Sequence, residues 1–280
     1  MWEKLGRFEE VIVFLPFLAY ARIRRIPYSL RCKECGKRLF YWGYALQGLC
    51  EHCMRKAITQ DPAQYYAGQP CSGETFSRNR SGIEHCYAAV ARRVGQGKIL
   101  DVGCGDGLLL ERLVAPGREL HGIDMSADEV KKAKTRVPQA AVSSGDVRDL
   151  PHPSDSFDYV VCTDVLEHIQ GNAVSRECFR VLKPGGSALF TMPVGTGRRG
   201  KTPQHVRQFD MRSFSRELTD AGFEVVSERC FGLHIPFVTY FAEVAASAFN
   251  QNLPLSSPLN LTLPEALATH LFIECRKPAA

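Results

Sequence analysis

From residue 98 onward the apolar positions of this chain fall into short runs separated by turn residues, with an alternation that predicts strand, helix, strand. Lys98-Ile99-Leu100 reads as a strand, and leucines at 108, 109, 110 and 113 mark a helix soon after it. Leu120-His121-Gly122-Ile123 is a second strand closed by Asp124, and Ser126 caps a helix that runs to about Lys134. A third strand covers 140–142 and a fourth, Phe157 to Cys162, alternates clearly. Val181-Leu182-Lys183-Pro184-Gly185-Gly186 is a helix stop, followed by a fifth strand from Ser187 to Met192. Phe209 to Val226 holds a helix, closed by Gly222, and a sixth strand; His270 to Arg276 supplies a seventh.

The most informative segment joins the first strand to the first of these helices: Asp101-Val-Gly103-Cys-Gly105-Asp-Gly107. Glycine reaches positive φ and lets a ligand approach bare backbone, while a helix start offers N–H groups with no partner in the helix. A dinucleotide fingerprint, G-x-G-x-x-G/A, would need a small residue where this chain has Leu108. The spacing Asp-x-Gly-x-Gly-x-Gly instead resembles the first motif of the class I S-adenosylmethionine-dependent methyltransferases, and the later segments follow that family's chain order over residues 98–230. The resemblance implies an α/β fold with a doubly wound, mostly parallel, seven-stranded Rossmann-like sheet. It implies cofactor contacts from Asp101, Gly103, Gly105 and Gly107, from Asp124 and Met125, from Asp146 and Val147 in the adenine loop, and from Thr163 at the end of the fourth strand. An acid after the second strand is also where ribose hydroxyls are bound in nucleotide-binding α/β folds.

Charge and cysteine change the picture at the other end of the chain. Of the net charge of +5, residues 1–60 carry +6, from eleven basic and five acidic side chains, and the remainder is close to neutral. A basic segment of this kind meets nucleic acid or an anionic membrane, or is simply a solvated face. Eleven cysteines in 280 residues do not suit a small secreted disulfide scaffold, and the apolar run at 11–21 is broken by Pro16 and lacks a basic start, so a cytoplasmic protein is expected. Cys32-x2-Cys35 and Cys50-x2-Cys53, fourteen residues apart, match zinc-ribbon spacing, with Zn²⁺ in a structural role; a redox pair or chance spacing is the alternative, with His52 or Cys71 as substitute ligands. Cys86, Cys104, Cys162, Cys178, Cys230 and Cys275 read as buried free thiols. The expected organisation is an apolar and basic segment at 1–30, a zinc-ribbon-like module at 31–70, and a methyltransferase domain at 71–280.

Two apolar stretches bear on the substrate. Residues 232–268 hold only Glu243 and Glu265 as charged groups, and 8–20 precede a cluster of arginines. Either is a substrate-covering or interfacial element at a membrane surface, or a lid or dimer contact packed on protein. The glycine-rich loop 195–209 carries Arg198, Arg199, Lys201 and His205, and its His-Val-Arg-x-Phe piece resembles a segment of small-molecule methyltransferases. His205 and His168 are the candidate general bases, since imidazole titrates near neutrality, although structural roles are open to both. There is no Asn/Asp-Pro-Pro-aromatic turn after the fourth strand and no Pro-Cys nucleophile, which disfavours base methylation by those routes. The expectation is methyl transfer from S-adenosylmethionine to a small-molecule or lipid-like acceptor, with peripheral membrane contact as one option. RNA or protein methylation guided by the basic module and a non-catalytic binding module are the alternatives. The acceptor atom and the oligomeric state are not legible.

Overall fold

A computed structural model describes residues 29–39, 49–66, 80–194, 204–233, 265 and 268–279. The apolar stretch 8–20, Cys71, the loop cations Arg198, Arg199 and Lys201, and nearly all of the 232–268 stretch lie outside these residues. The chain divides into two compact units, Met1–Asp61 with Thr202–Val206, and Pro62–Lys201 with Arg207–Ala280.

In the first unit a tight turn and a helix hold the four cysteines. Arg31 and Arg38 form an antiparallel bridge, Cys32 N–H donates to Lys37 O (2.8 Å), and Gly36 at φ +71° turns the chain, its N–H donating to Cys32 O (2.9 Å). Helix α1, Glu51–Gln60, starts directly after Cys50 and carries Cys53 in its first turn. Cys32, Leu39 and Cys50 are buried together, and Met54 and Ile58 are fully buried on α1.

The second unit begins with α2 (Pro62–Tyr66) and α3 (Arg80–Ala91) and continues as β1 (Gly97–Val102), α4 (Leu108–Leu113), β2 (Arg118–Asp124), α5 (Ala127–Arg136), β3 (Ala141–Ser144), β4 (Phe157–Thr163), α6 (Ala173–Val181), β5 (Leu182–Pro193), α7 (Met211–Asp220), β6 (Glu224–Leu233) and β7 (Ala268–Arg276). The described strands form one seven-stranded sheet in the order β3-β2-β1-β4-β5-β7-β6, parallel except for β7, which runs antiparallel to both β5 and β6. This is the doubly wound methyltransferase sheet that the sequence resemblance implies.

Consecutive apolar residues on the strands explain why helices cover both faces. Ile99, Val161, Leu189 and Phe272 belong to one buried cluster with Cys86 and Val90 of α3, Leu109 and Leu113 of α4 and Val130 of α5. Their chain neighbours Leu100, Val160, Phe190 and Ile273 belong to the other, with Cys178 of α6 and Phe214 and Leu218 of α7. A parallel sheet buried on both sides needs such unbroken apolar runs, because side chains alternate between faces. Ser126 caps α5 by accepting from Glu129 N–H (3.4 Å), and Asp210 and Ser213 form a reciprocal capping box on α7. β5 starts at Leu182, five residues before the expected strand, because Leu182 pairs with Phe157 and the residues up to Gly186 are accommodated by a register shift before Tyr159 meets Ser187. The six cysteines outside the quartet that the structure describes are buried and free.

Candidate active site

The glycine turn lies at the C-terminal ends of β1 and β4, next to the point where the strand order reverses between β2-β1 and β4-β5. Ligands of open α/β sheets bind in that crevice. Gly103, Gly105 and Gly107 all have positive φ, at +76°, +50° and +82°. The three glycines are needed for different reasons. A Cβ on Gly103 would come 2.3 Å from Val165 Cγ2, and one on Gly107 would crowd Ala133 of α5 at 3.1 Å, but one on Gly105 would meet nothing within 4 Å. Two of them therefore serve packing, whereas Gly105 keeps backbone bare toward open space.

Asp124 is tied to this turn. Its Oδ2 accepts from Gly105 N–H (2.9 Å) and its Oδ1 from Ser126 N–H (2.8 Å), so β2 ends with a carboxylate held by backbone donors. Burial raises its pKa despite those two donors, which pull the other way. Asp101 is buried below the turn, and among the described residues neither of its carboxylate oxygens has a hydrogen-bond partner. Burial, with the Asp124 charge added, pushes it up to about 8. An isolated buried carboxylate is costly, and neutralisation or a cationic ligand group relieves it. Arg136, at the end of α5, braces the turn by donating to Asp106 O (2.9 Å) and Asp106 Oδ2 (3.0 Å).

The adenine-loop candidate Asp146 is half-exposed and engaged: Arg148 donates to it from the backbone (2.8 Å) and from the guanidinium (2.6 Å to Oδ2). That contact holds its carboxyl below the usual range. Val147 beside it is buried, and Met125 packs against the core next to Asp124. Thr163 ends β4, nearly buried.

Asp164 follows at φ +54°, one of two described non-glycine residues in that region. Its Oδ1 accepts from Thr191 Oγ1 (3.1 Å), and its Oδ2 lies 3.8 Å from His270 Nε2. Glu167 is fully buried in the 3-10 turn Leu166–His168, where burial and then the nearby Asp164 charge raise its carboxyl well above the ordinary value. His168 Nδ1 is 3.0 Å from Tyr66 Oη, with the two rings edge to face. His205, the other base candidate, is buried and belongs to the first unit, where the adjoining Val206 carbonyl accepts from Arg55 of α1 (3.0 Å). The structure thus gathers Asp101, the three glycines, Asp124 and Thr163 at one sheet edge and assigns His205 to the cysteine-bearing unit. Arg136, Thr191, Asp164 and His270 were not singled out in the sequence, and no local pattern marks them: the Asp106–Arg136 pair is separated by 30 residues and Asp164–His270 by 106.

The four cysteine sulfurs of Cys32, Cys35, Cys50 and Cys53 lie within 4.8 Å of one another, and Cys35 Sγ is 3.6 Å from Cys50 Sγ. Burial pushes the Cys32 thiol up, but backbone N–H groups of Cys50, Cys35 and Glu34 aimed at its sulfur outweigh this and bring it down to about 6; burial and its three neighbours push Cys53 up to about 12.

Residues 100–190 match the family model described as a methyltransferase domain. A Mycolicibacterium smegmatis protein named "Probable S-adenosylmethionine-dependent methyltransferase" is 34% identical over 149 residues, 51% of this chain and 58% of its own length. A ubiquinone biosynthesis O-methyltransferase of Klebsiella pneumoniae is 34% identical over 101 residues, 34% of this chain and 41% of that one. The chain thus matches only about half the length of these curated relatives. Among solved structures, an S-adenosylmethionine-dependent methyltransferase from Thermotoga maritima superposes with TM-score 0.57 at 18% identity, over 80% of this chain and 99% of that one. The cyclase SpnF does so with TM-score 0.53 at 19% identity, over 82% and 97%. The sheet unit has the class I methyltransferase fold, and its residues 100–190 match the methyltransferase-domain model; since SpnF shares the fold, the chemistry must be argued from the site.

Proposed function

We propose that this chain transfers the methyl group of S-adenosylmethionine to a small-molecule acceptor. One observation carries the reading: a positive-φ glycine turn facing open space at Gly105, with Asp124 locked to Gly105 N–H beside it and the unpartnered Asp101 carboxylate beneath. A nucleoside with a cationic amino-acid tail suits these groups. Asp124 and Met125 would receive the ribose, Asp146 and Val147 the adenine, and Asp101, Gly103, Gly105, Gly107 and Thr163 the methionine end. Adenine contact by Asp146 then requires Arg148 to release it or to share it. Bound there, S-adenosylmethionine supplies a methyl made electrophilic by a sulfonium. The protein contributes alignment and exclusion of water, which account for most of what such a displacement needs. His168 and His205 remain base candidates, the first already in contact with Tyr66.

The acceptor is a hydroxyl-bearing small or lipid-like molecule. This draws on the O-methyltransferase relatives and on the departure of the residues after β4 from a base-flipping signature. Four thiolates around Zn²⁺ at about 2.3 Å would stand about 3.8 Å apart, which the observed sulfur spacing fits. Such a site is closed, so its contribution is folding of the module at about residues 31–70, ahead of a catalytic domain at 71–280. The exposed Arg31, Lys33, Lys37 and Arg38 on the same turn favour RNA as the second reading, and that reading predicts binding that weakens steeply with salt.

Isothermal titration with S-adenosylmethionine and with NADH, on wild type and Asp124→Ala, tests the first reading. We expect S-adenosylmethionine alone to bind, with affinity falling about 10-fold or more in the variant, as loss of hydrogen bonds to a charged group costs about 1.5–3 kcal/mol. A folded wild type that binds neither ligand would sink it.

A further inference from the structure

Asp101, beneath the glycine turn, is a carboxyl group without a counter-group. Strand pairing sets it opposite Gly122 of β2 and Val161 of β4, so neither flanking strand offers it a polar side chain on its face of the sheet. That face is covered by α3, α4 and α5, whose described cations have other engagements: Arg136 with Asp106 (3.0 Å) and Glu111 (3.4 Å), Lys132 with Glu129 (2.7 Å), and Arg112 over the Tyr87 ring (6.0 Å). The titratable groups around Asp101 are Asp124 at the end of β2, Cys104 in the turn, Cys162 of β4 and Tyr87 of α3, which also feels the Asp106 and Asp164 charges. Among the described residues no cation is aimed at Asp101, and both of its oxygens are buried without a donor. A carboxyl in that setting keeps its proton, because only the charged form suffers from burial and from like charge.

We infer that Asp101 is a proton-coupled clasp for the amino-acid end of S-adenosylmethionine: the free protein keeps its carboxyl protonated, and an ammonium group seated against it expels that proton to solvent. This rests on the methyl-transfer reading and adds a pH control to its cofactor site. In the step the O–H bond of Asp101 breaks, the electron pair stays on the carboxylate, and water takes the proton. The ammonium charge stabilises the anion in a buried setting where their attraction is little screened. An α-amino group titrates at about 7.7–8.0, close to Asp101, which burial and the Asp124 charge push up to about 8. At about pH 7 each partner alone holds a proton and the pair needs only one, so binding releases one; above about pH 9 neither holds one, and binding takes one up. Affinity therefore peaks at about pH 8 and falls on each side, toward about tenfold per pH unit. S-adenosylhomocysteine has a neutral sulfur and the same ammonium, so it follows the same rule.

Isothermal titration of the full chain in two buffers of different ionisation enthalpy counts the protons. At about pH 7, S-adenosylmethionine and S-adenosylhomocysteine should each release about one, and 5′-methylthioadenosine, which has no amino-acid end, about none. Asp101→Asn should abolish the release and flatten the acid side of the affinity profile. Carbon NMR of the aspartate carboxyls in the free wild type should show one group that titrates at about 8 and that S-adenosylhomocysteine converts to the ionised form. Release with S-adenosylmethionine alone would assign the effect to the sulfonium and overturn the inference. So would release that persists in Asp101→Asn, no release from a wild type that binds, or aspartates all ionised by about pH 6. Should Asp101→Asn fail to fold, the wild-type ligand series and the carbon titration decide without it. A wild type that binds none of the three ligands sinks the methyl-transfer reading instead, and the carbon titration then judges the protonated Asp101 by itself.

Discussion

The glycine turn after β1 and the cysteine turn before α1 are alike in backbone and opposite in what holds them. Each reverses the chain through a positive-φ glycine, Gly103 at +76° and Gly36 at +71°. The first is wedged between two extensive apolar clusters, with Val165 pressed against Gly103. Among the described residues, the second has Leu39 and Leu49 packed around its cysteines. A turn clamped by packing exists whenever the sheet folds and can stay open to a ligand. A turn built around four sulfurs is held by whatever those sulfurs bind, and Zn²⁺ is the proposed ligand.

Withdrawing metal is the most forceful test of that contrast. If the four sulfurs hold Zn²⁺ as proposed, chelation or Cys50→Ser should cost the cysteine turn that ion's contribution, about 10 kcal/mol or more for sites of this type, while the sheet unit keeps its own melting transition; one undivided transition lost in full would break the comparison. Next in size is Asp101. Its raised value, about 8 against an ordinary 3.8, means that the folded state holds a proton that the unfolded chain releases. Stability should therefore fall as pH rises from about 4 to about 8 and level off above, by up to a few kcal/mol at about 1.4 kcal/mol per unit. Asp101→Asn should flatten the slope in denaturant titrations across that range, and an unchanged slope would contradict the assignment.

The two glycines separate packing from function on a finer scale. Gly103→Ala adds a strained φ to a clash with Val165 and should destabilise by about 2–4 kcal/mol, read as a shift in denaturation midpoint. Gly105→Ala pays only the left-handed backbone, about 1–2 kcal/mol. It should nevertheless weaken S-adenosylmethionine binding, because its new methyl occupies the open side of the turn.

Much of the sheet was legible in the chain. Short apolar runs, the glycine spacing and Ser126 are local signals, and they mark the strands and the cap of α5 within a few residues of where they occur. Less of the site was legible. Asp124 and the glycines lie next to the elements that position them, so spacing was enough to single them out as candidates, and the structure joins Asp124 to Gly105 N–H. The engagement of Asp146 by Arg148 lies only two residues away, yet no rule of composition foretells which partner a half-exposed carboxylate takes. The early start of β5 was hidden because Pro184, Gly185 and Gly186 read as a break, and only pairing with Phe157 turns that break into a register shift.

By itself the sequence determined the alternation that makes an α/β sheet, the turn that bares backbone at its edge, and the cysteine spacing, since each depends on dihedral preference or on residues a few positions apart. The tertiary structure alone decided that His270 faces Asp164 across 106 residues, that Val165 fills the space a Gly103 side chain would need, and that His205 belongs to the cysteine-bearing unit. The physical reason is that strand order and register bring remote residues within hydrogen-bonding distance, and no local propensity encodes which of them will meet.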